Sequence, residues 1–273
     1  MQDRKHIAIL IHERMSAKHL EGYFLHNLTE YWKRNGYTIT VLCGTKKYIP
    51  ADILFLHVDL SVVPKKYLKF AKKYPIVINK DVLDIRKSVY SKLLLSPDTD
   101  YIGPVIVKSD LNYFGKPELK FSGNRILRWF LKKRVIEEYK IYNDYREVPK
   151  NIIDNSYLVI EKFLPETDGE NYYLRTYMFL GDREVWVKRA SKYPVVKGGN
   201  SSVIEQISPE PKIIELRKKM KFDYGKFDYI VYNGEPILLD ANKTIGKANN
   251  KNGIKTNESL MEHLASGISK FLT

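Results

Sequence analysis

The sequence holds a single cysteine, Cys43, in 273 residues. One thiol closes no internal disulfide, which excludes a disulfide-stapled scaffold and fits a reducing compartment. Its place near a strand end suggests packing rather than chemistry. Long hydrophobic runs are missing too. The best, Ile7–Ile11 and Ile53–Leu56, are strand-sized, against the roughly 20 residues that cross a bilayer. The charged start, Met1–His6, precedes an apolar stretch too short for a signal peptide. A cytoplasmic chain without a membrane span is expected. Acids are scarce: 32 Asp and Glu stand against 46 Lys and Arg, a net charge of +14. That excess concentrates anions, from nucleotides to acidic polymers, although a lysine-rich surface gives the same count. Zinc-finger spacing, an RNP-like motif and a Gly-x-x-Gly clamp are all absent, which argues against nucleic acid. The six histidines share no metal-ligand spacing.

What is present is a 44% hydrophobic share, enough for one large or two modest domains. The first third alternates strand and helix patterns. Lys5–Ile11, Tyr37–Leu42, Ala51–Val58 and Pro75–Asn79 read as strands. A helix is expected from Ser16 to about Arg34, where Leu20, Phe24, Leu28, Tyr31 and Trp32 hold helical spacing, and another over Pro64–Lys73. This order predicts a small parallel α/β domain. From about residue 84 the pattern changes. Helices are expected over Asp84–Leu95, within Arg125–Tyr139, over Pro211–Lys221 and near Glu258–Leu272. Strands are expected at Pro104–Lys108, Tyr157–Phe163, Tyr172–Leu180 and Glu184–Ala190. Gly225–Val231 and Pro236–Asp240 form a hairpin about Asn233-Gly234.

Three stretches carry chemistry. In GKFDYIVYNGEPILLDANKTIG, Asp240 and Asn242 are two apart on a strand and project to one face. With the turn at Asn233-Gly234, Asp228 falls roughly opposite Asp240. Three hard oxygen donors inside an apolar run suit Mg²⁺, although Asp-x-Asn alone is commoner as a strand ending. The second stretch is PVIVK with SDLNYFGKPE after it. Lys108 ends a buried strand, which is costly without an anionic partner. The third is LVIEKFLPETDGENYYLR. Glu161 and Lys162 end an apolar strand, the acids Glu166, Asp168 and Glu170 follow, and Tyr173 and Arg175 share a face. One of those acids can accept ribose hydroxyls. Arg175 can clamp a phosphate bidentately.

In this order the three stretches resemble the ATP-grasp superfamily, over about Asp84–Gly246. Residues 1–83 look like the small α/β domain that precedes it. The resemblance implies an α/β chain whose 84–273 part is an ATP-grasp α+β domain of two subdomains, about 84–160 and 161–273. It implies ATP and Mg²⁺ as cofactors. Asp228, Asp240 and Asn242 hold the metals. Lys108, with Lys87 or Lys92, holds the α- and β-phosphates, and Arg175 meets the γ-phosphate. Glu161, Lys162 and Phe163 form the adenine hinge, and Glu170, Glu166 or Asp168 meets the ribose. Lys188, in WVKRA, is a further phosphate or substrate contact. The family's Asn-Pro-Thr-Pro-Gly ending stands here as Asn242-Lys243-Thr244-Ile245-Gly246, without either proline.

The implied reaction joins a carboxylate to an amine through an acylphosphate. The acceptor is expected to be a small molecule, peptide or glycan, acidic given the charge, and a homodimer is compatible with the sequence. His12 or Arg14, after the first strand, is a candidate acceptor contact. Gly198–Ser202 is a candidate closing loop. Two other functions stay open: a kinase acting on a hydroxyl, and a basic protein binding anionic polymers through a degenerate nucleotide site.

Overall fold

The computed structural model describes residues 5–134, 136, 138–247 and 258–272. Most of the charged start and part of the Arg125–Tyr139 segment lie outside the described residues. Four apolar segments form the first sheet: β1 (His6–Ile11), β2 (Thr38–Cys43), β3 (Ile53–Leu56) and β4 (Ile76–Ile78). Their order is β2-β1-β3-β4, all parallel. β1 and β3 are covered on both faces, which explains their unbroken apolar runs. Helices α1 (Phe24–Arg34) and α2 (Lys65–Ala71) connect the strands. The helix expected from Ser16 is broken. Ala17–Gly22 forms a 3₁₀ turn, and Tyr23 is extended at φ −114°, ψ 150°. Tyr23 pairs through its backbone with Gly246, which a helical residue cannot do. Cys43 ends β2 exposed rather than packed.

Next come α3 (Lys87–Tyr90), β5 (Val105–Ser109), α4 (Lys116–Phe121), α5 (Arg125–Arg134), β6 (Lys140–Tyr142), α6 (Lys150–Ile153) and β7 (Leu158–Lys162). The strands make a small antiparallel sheet, β6-β5-β7. The helix expected over Asp84–Leu95 shrinks to α3. Its second half is drawn out against β7: Lys162 N donates to Leu93 O and Leu95 N to Ile160 O, both at 2.9 Å.

The rest forms a third sheet and its cover: β8 (Glu166–Thr167), β9 (Tyr172–Leu180), β10 (Arg183–Ser191), β11 (Ser202–Gln206), α7 (Pro211–Lys219), β12 (Tyr224–Tyr232), β13 (Glu235–Asn242) and α8 (Glu258–Ser266). The order is β11-β10-β9-β12-β13, with β8 on β9. The β12–β13 turn sits at Asn233-Gly234, both with positive φ, +50° and +79°, as a tight hairpin requires. β11 was not expected, because a polar, exposed edge strand reads as loop.

Along β9, residues alternate between two apolar layers. Tyr177 and Phe179 join Trp186, Phe227 and Tyr229 on one face. Met178 and Leu180 join β1, α1 and α8 on the other. The N-terminal α/β unit and the third sheet therefore share one core. Trp32 Nε1 donates to Ala265 O at 2.9 Å, tying α1 to α8. Gly267 lets the end of α8 lie on the sheet, because a Cβ there would stand 2.0 Å from Leu180 O. No helix among the described residues is long and apolar enough to cross a membrane.

Candidate active site

Between the sheets lies a cavity of about 940 Å³, at the upper end of the roughly 300–1,000 Å³ typical of small-ligand sites. Its floor is the face of the third sheet that carries Leu174, Thr176, Met178, Arg189, Lys226, Asp228, Ile230, Asp240 and Asn242. Period-two alternation selects this set. Six cations (Lys108, Lys162, Arg189, Lys197, Lys226 and Lys247) and three acids (Asp59, Asp228 and Asp240) line it. That balance suits a polyanion.

The hairpin register sets Asp228 directly opposite Asp240, and Lys226 opposite Asn242. Directly opposed residues share a face of the sheet, so both acids face the cavity, and a bulge follows Asp228. Each acid has its own partners. Thr176 Oγ1 donates to Asp228 Oδ1 at 2.8 Å, and Lys226 Nζ meets Asp228 Oδ2 at 2.5 Å. Lys87 Nζ lies 3.2 Å from Asp240 Oδ1 and is almost wholly buried. Burial alone would lower the Lys87 pKa, but Asp240, Tyr90 and Tyr139 outweigh it and the net shift is upward. Burial would raise Asp240, yet Lys87, Lys226 and Lys108 hold it below the usual carboxylate range. Asn242 Oδ1 accepts from Thr244 N at 2.8 Å, which fixes the turn beyond β13. Two carboxylates and an amide oxygen on one face fit Mg²⁺, which is held by one or two carboxylates while phosphate oxygens and water complete its shell. No group of three or more His, Cys, Asp or Glu able to hold a metal occurs among the described residues, so phosphate would be needed to complete this one.

Lys108 projects from β5 into the cavity wall and pairs with Glu161 Oε2 at 2.7 Å. Both side chains are buried. Glu161 is thus a partner of Lys108 and does not itself line the cavity. The segment after β7 does, through Lys162, Phe163, Leu164 and Pro165. Lys162 Nζ sits 4.9 Å from the centre of the Tyr101 ring. Lys92 is exposed, so of the two earlier lysines only Lys87 reaches the acids.

The structure places Arg175 and Lys188 elsewhere. They face each other in the β9–β10 register, one step from the cavity-lining set. Arg175 makes a bidentate pair with Glu166, with Nη2 2.8 Å from Oε1 and Nε 3.0 Å from Oε2. Lys188 lies 3.9 Å from Glu166 and 3.7 Å from Glu205. None of Glu166, Asp168 and Glu170 lines the cavity. Asp168 bonds Tyr173 and the Glu170 and Asn171 amides, while Glu170 is exposed on the loop. His12 is buried against Phe121, ring centres 4.4 Å apart. Arg14 bonds Ser122 O. Neither reaches the cavity.

Sequence reasoning missed three residues here. Arg189, one residue past Lys188, enters the cavity, buried, with Nε donating to Ser201 Oγ at 3.0 Å. Burial lowers its pKa and Asp228 opposes that shift. Lys226 was findable, being two residues before Asp228 on the same face. Tyr139 was not. It lines the wall near Lys108, whose Nζ is 5.9 Å from its ring centre. Burial pushes its hydroxyl up to about 12. The Gly198–Ser202 loop does reach the site, through Gly198 at the wall and Ser201 under Arg189.

No family model matches the sequence, and no curated protein does either. Solved structures do match by fold. The D-alanine–D-alanine ligase of Bacillus anthracis, complexed with ATP, superposes at a TM-score of 0.55 with 14% identity, over 98% of this chain and 96% of the other. The ATP-grasp ligase PsnB, complexed with minimal precursor, Mg and ADP, gives 0.56 with 11% identity, over 97% and 98%. A RimK domain protein of the ATP-grasp type from Sphaerobacter thermophilus gives 0.51 with 10% identity, over 97% and 98%. Over nearly its whole length this chain is thus similar in fold to solved ATP-grasp ligase structures.

Proposed function

We propose that this protein is an ATP-dependent ligase that joins a carboxylate to an amine. The observation that carries the reading is Asp228 facing Asp240, with Asn242, Arg189 and Lys108 in the same cavity. The obstacle in the first step is an anionic carboxylate attacking anionic γ-phosphate. Lys108 and Lys87 hold the α- and β-phosphates. The hinge from Lys162 to Pro165 receives adenine. Arg189 meets the γ-phosphate and the charge that develops on transfer, in place of Arg175 and Lys188. Asp228, Asp240 and Asn242 would hold Mg²⁺, which when bound neutralises phosphate charge. For the metal to seat, Lys226 must turn from Asp228 toward the substrate anion. The carboxylate oxygen then bonds the γ-phosphorus and ADP leaves with the bridging electron pair. An amine attacks the acyl carbon and phosphate leaves.

The ligase names of fold relatives support the class of reaction at fold level. A PsnB complex with a precursor peptide makes a peptide an apt candidate substrate, and the cavity has room beyond one nucleotide. The test is ADP release with ATP and Mg²⁺ over pooled carboxylic acids, with hydroxylamine present to trap acylphosphate. Hydroxamate and ADP formed together support the ligase. ADP with a phosphorylated alcohol and no hydroxamate would replace it with a kinase.

A further inference from the structure

Asp59 lines the cavity just after β3. Among the described residues it is held by two neutral hydroxyls. Tyr23 donates to Oδ2 at 2.6 Å and Thr244 to Oδ1 at 2.7 Å. A carboxylate has about four acceptor positions, so roughly two remain free. Among the described residues no cation lies within 4 Å of Asp59, whereas Asp228 and Asp240 each have a lysine. Lys243 is buried nearby: burial lowers its pKa, and Asp59 is the foremost charge opposing that shift, but its Nζ has no hydrogen-bond partner, so it makes no contact ion pair with Asp59.

Backbone hydrogen bonds fix the segments that carry the partners of Asp59. Phe24 N donates to Ile245 O and Lys247 N to Gly22 O, both at 2.8 Å. The break at Gly22-Tyr23 that ended the expected helix is what allows these bonds. It also aims the Tyr23 hydroxyl at Asp59. Gly22 and Gly246 line the cavity and are exposed, with no atom within 4 Å of where a Cβ would stand, so neither adds a side chain over this edge of it.

We propose that Asp59 is the receptor for the amino group of the second substrate in the cavity, with Tyr23 and Thr244 fixing its carboxylate: the group arrives as an ammonium, gives one proton to Asp59, and attacks the acyl carbon as the neutral amine while phosphate leaves. This rests on the ligase reading above. A carboxylate donor is repelled by Asp59 and attracted by Arg189 and Lys226. An ammonium is complementary to Asp59, and two of its three donors match the roughly two free acceptor positions. The two substrates are thereby sorted by charge to opposite sides of the reacting carbon. The acceptor recognised here is therefore a primary amine on a peptide, amino acid or amino sugar, rather than an acidic group.

The test compares two nucleophiles on whichever acid yields hydroxamate: hydroxylamine, mostly uncharged at pH 7.5, and a pool of amino-acid amides, peptides and amino sugars carrying primary amines. Asp59→Asn should lower the ratio of kcat/KM for the ligated amine over that for hydroxylamine by about tenfold or more, the worth of one charged hydrogen bond. Asp59→Glu should recover part of it. A ratio within about twofold of wild type overturns the proposal, as does a wild-type enzyme that forms hydroxamate yet ligates no amine in the pool. Absence of hydroxamate with every acid removes the ligase reading itself, a separate result.

Discussion

Lys188 and Arg189 are neighbours on β10, yet they serve opposite faces of one sheet. Lys188 stands across from Arg175, and Arg189 across from Leu174. The first pair converges on Glu166 outside the cavity. Arg189 reaches the cavity beside the facing acids. One step of register thus decides which of these three cations faces the cavity.

Arg189→Lys should therefore be the damaging conservative change. A planar fork holds two phosphate oxygens and an ammonium does not. Turnover is expected to fall by about two orders of magnitude, the typical loss when one transition-state donor is removed, with ATP affinity less affected. Arg175→Lys should cost stability through the weakened Glu166 pair and leave turnover within about threefold. Steady-state kinetics beside thermal melts check both. The reverse pattern would return the γ-phosphate role to Arg175.

Lys108 and Glu161 form a buried pair, so Lys108→Ala does more than weaken nucleotide binding. It leaves Glu161 buried without a counter-charge, a loss of about 3–5 kcal/mol. The double variant Lys108→Met with Glu161→Gln should regain most of that stability and none of the ATP affinity. Urea denaturation and nucleotide calorimetry separate the two effects. Equal stability of Lys108→Ala and wild type would mean the pair is not held as described.

His57 makes stability depend on pH. Burial holds it down to about 3, with Lys243 adding to the shift, against an ordinary 6.5. The unfolded chain takes up a proton below about 6.5 and the folded chain does not. Stability present above pH 6.5 is therefore lost progressively as pH falls from 6.5 toward 3, at ~1.4 kcal/mol per unit of pKa difference. His57→Gln should flatten that slope. Urea midpoints at pH 7.5 and 5.0 in both proteins measure it, and a slope unchanged in the variant assigns the effect to other groups.

Most of the architecture was legible because it rests on period and turn chemistry. The runs at Ile7–Ile11 and Ile53–Leu56 are central parallel strands, and Asn233-Gly234 fixed the register that sets Asp228 against Asp240. What stayed hidden depends on distant partners. Residues 174–176 and 187–189 offer a polar side chain to either face, so sequence does not say which face is roofed. Glu161 looks like a surface hinge residue until Lys108 arrives from another strand. The break at Tyr23 is imposed by Gly246, more than 200 residues away, and nothing in the helical spacing of Leu20, Phe24 and Leu28 announces it.

Asp240→Asn is the sharpest test of the site. Two facing acids suggest that removing one charge relieves repulsion and stabilises the fold. Lys87 reverses that expectation. It is almost wholly buried, and Asp240 is its ion-pair partner at 3.2 Å. Asparagine there leaves an ammonium buried beside a neutral amide, so stability should fall by about 3 kcal/mol or more. Turnover should fall by orders of magnitude, because the variant loses both a metal carboxylate and the anchor that points Lys87 at the phosphates. ATP should still bind through Lys108 and the hinge. Pairing Asp240→Asn with Lys87→Met should restore stability while turnover stays low. ADP release measured against Mg²⁺ concentration in all three proteins decides the assignment: normal turnover of Asp240→Asn at limiting Mg²⁺ would remove Asp240 from the metal site.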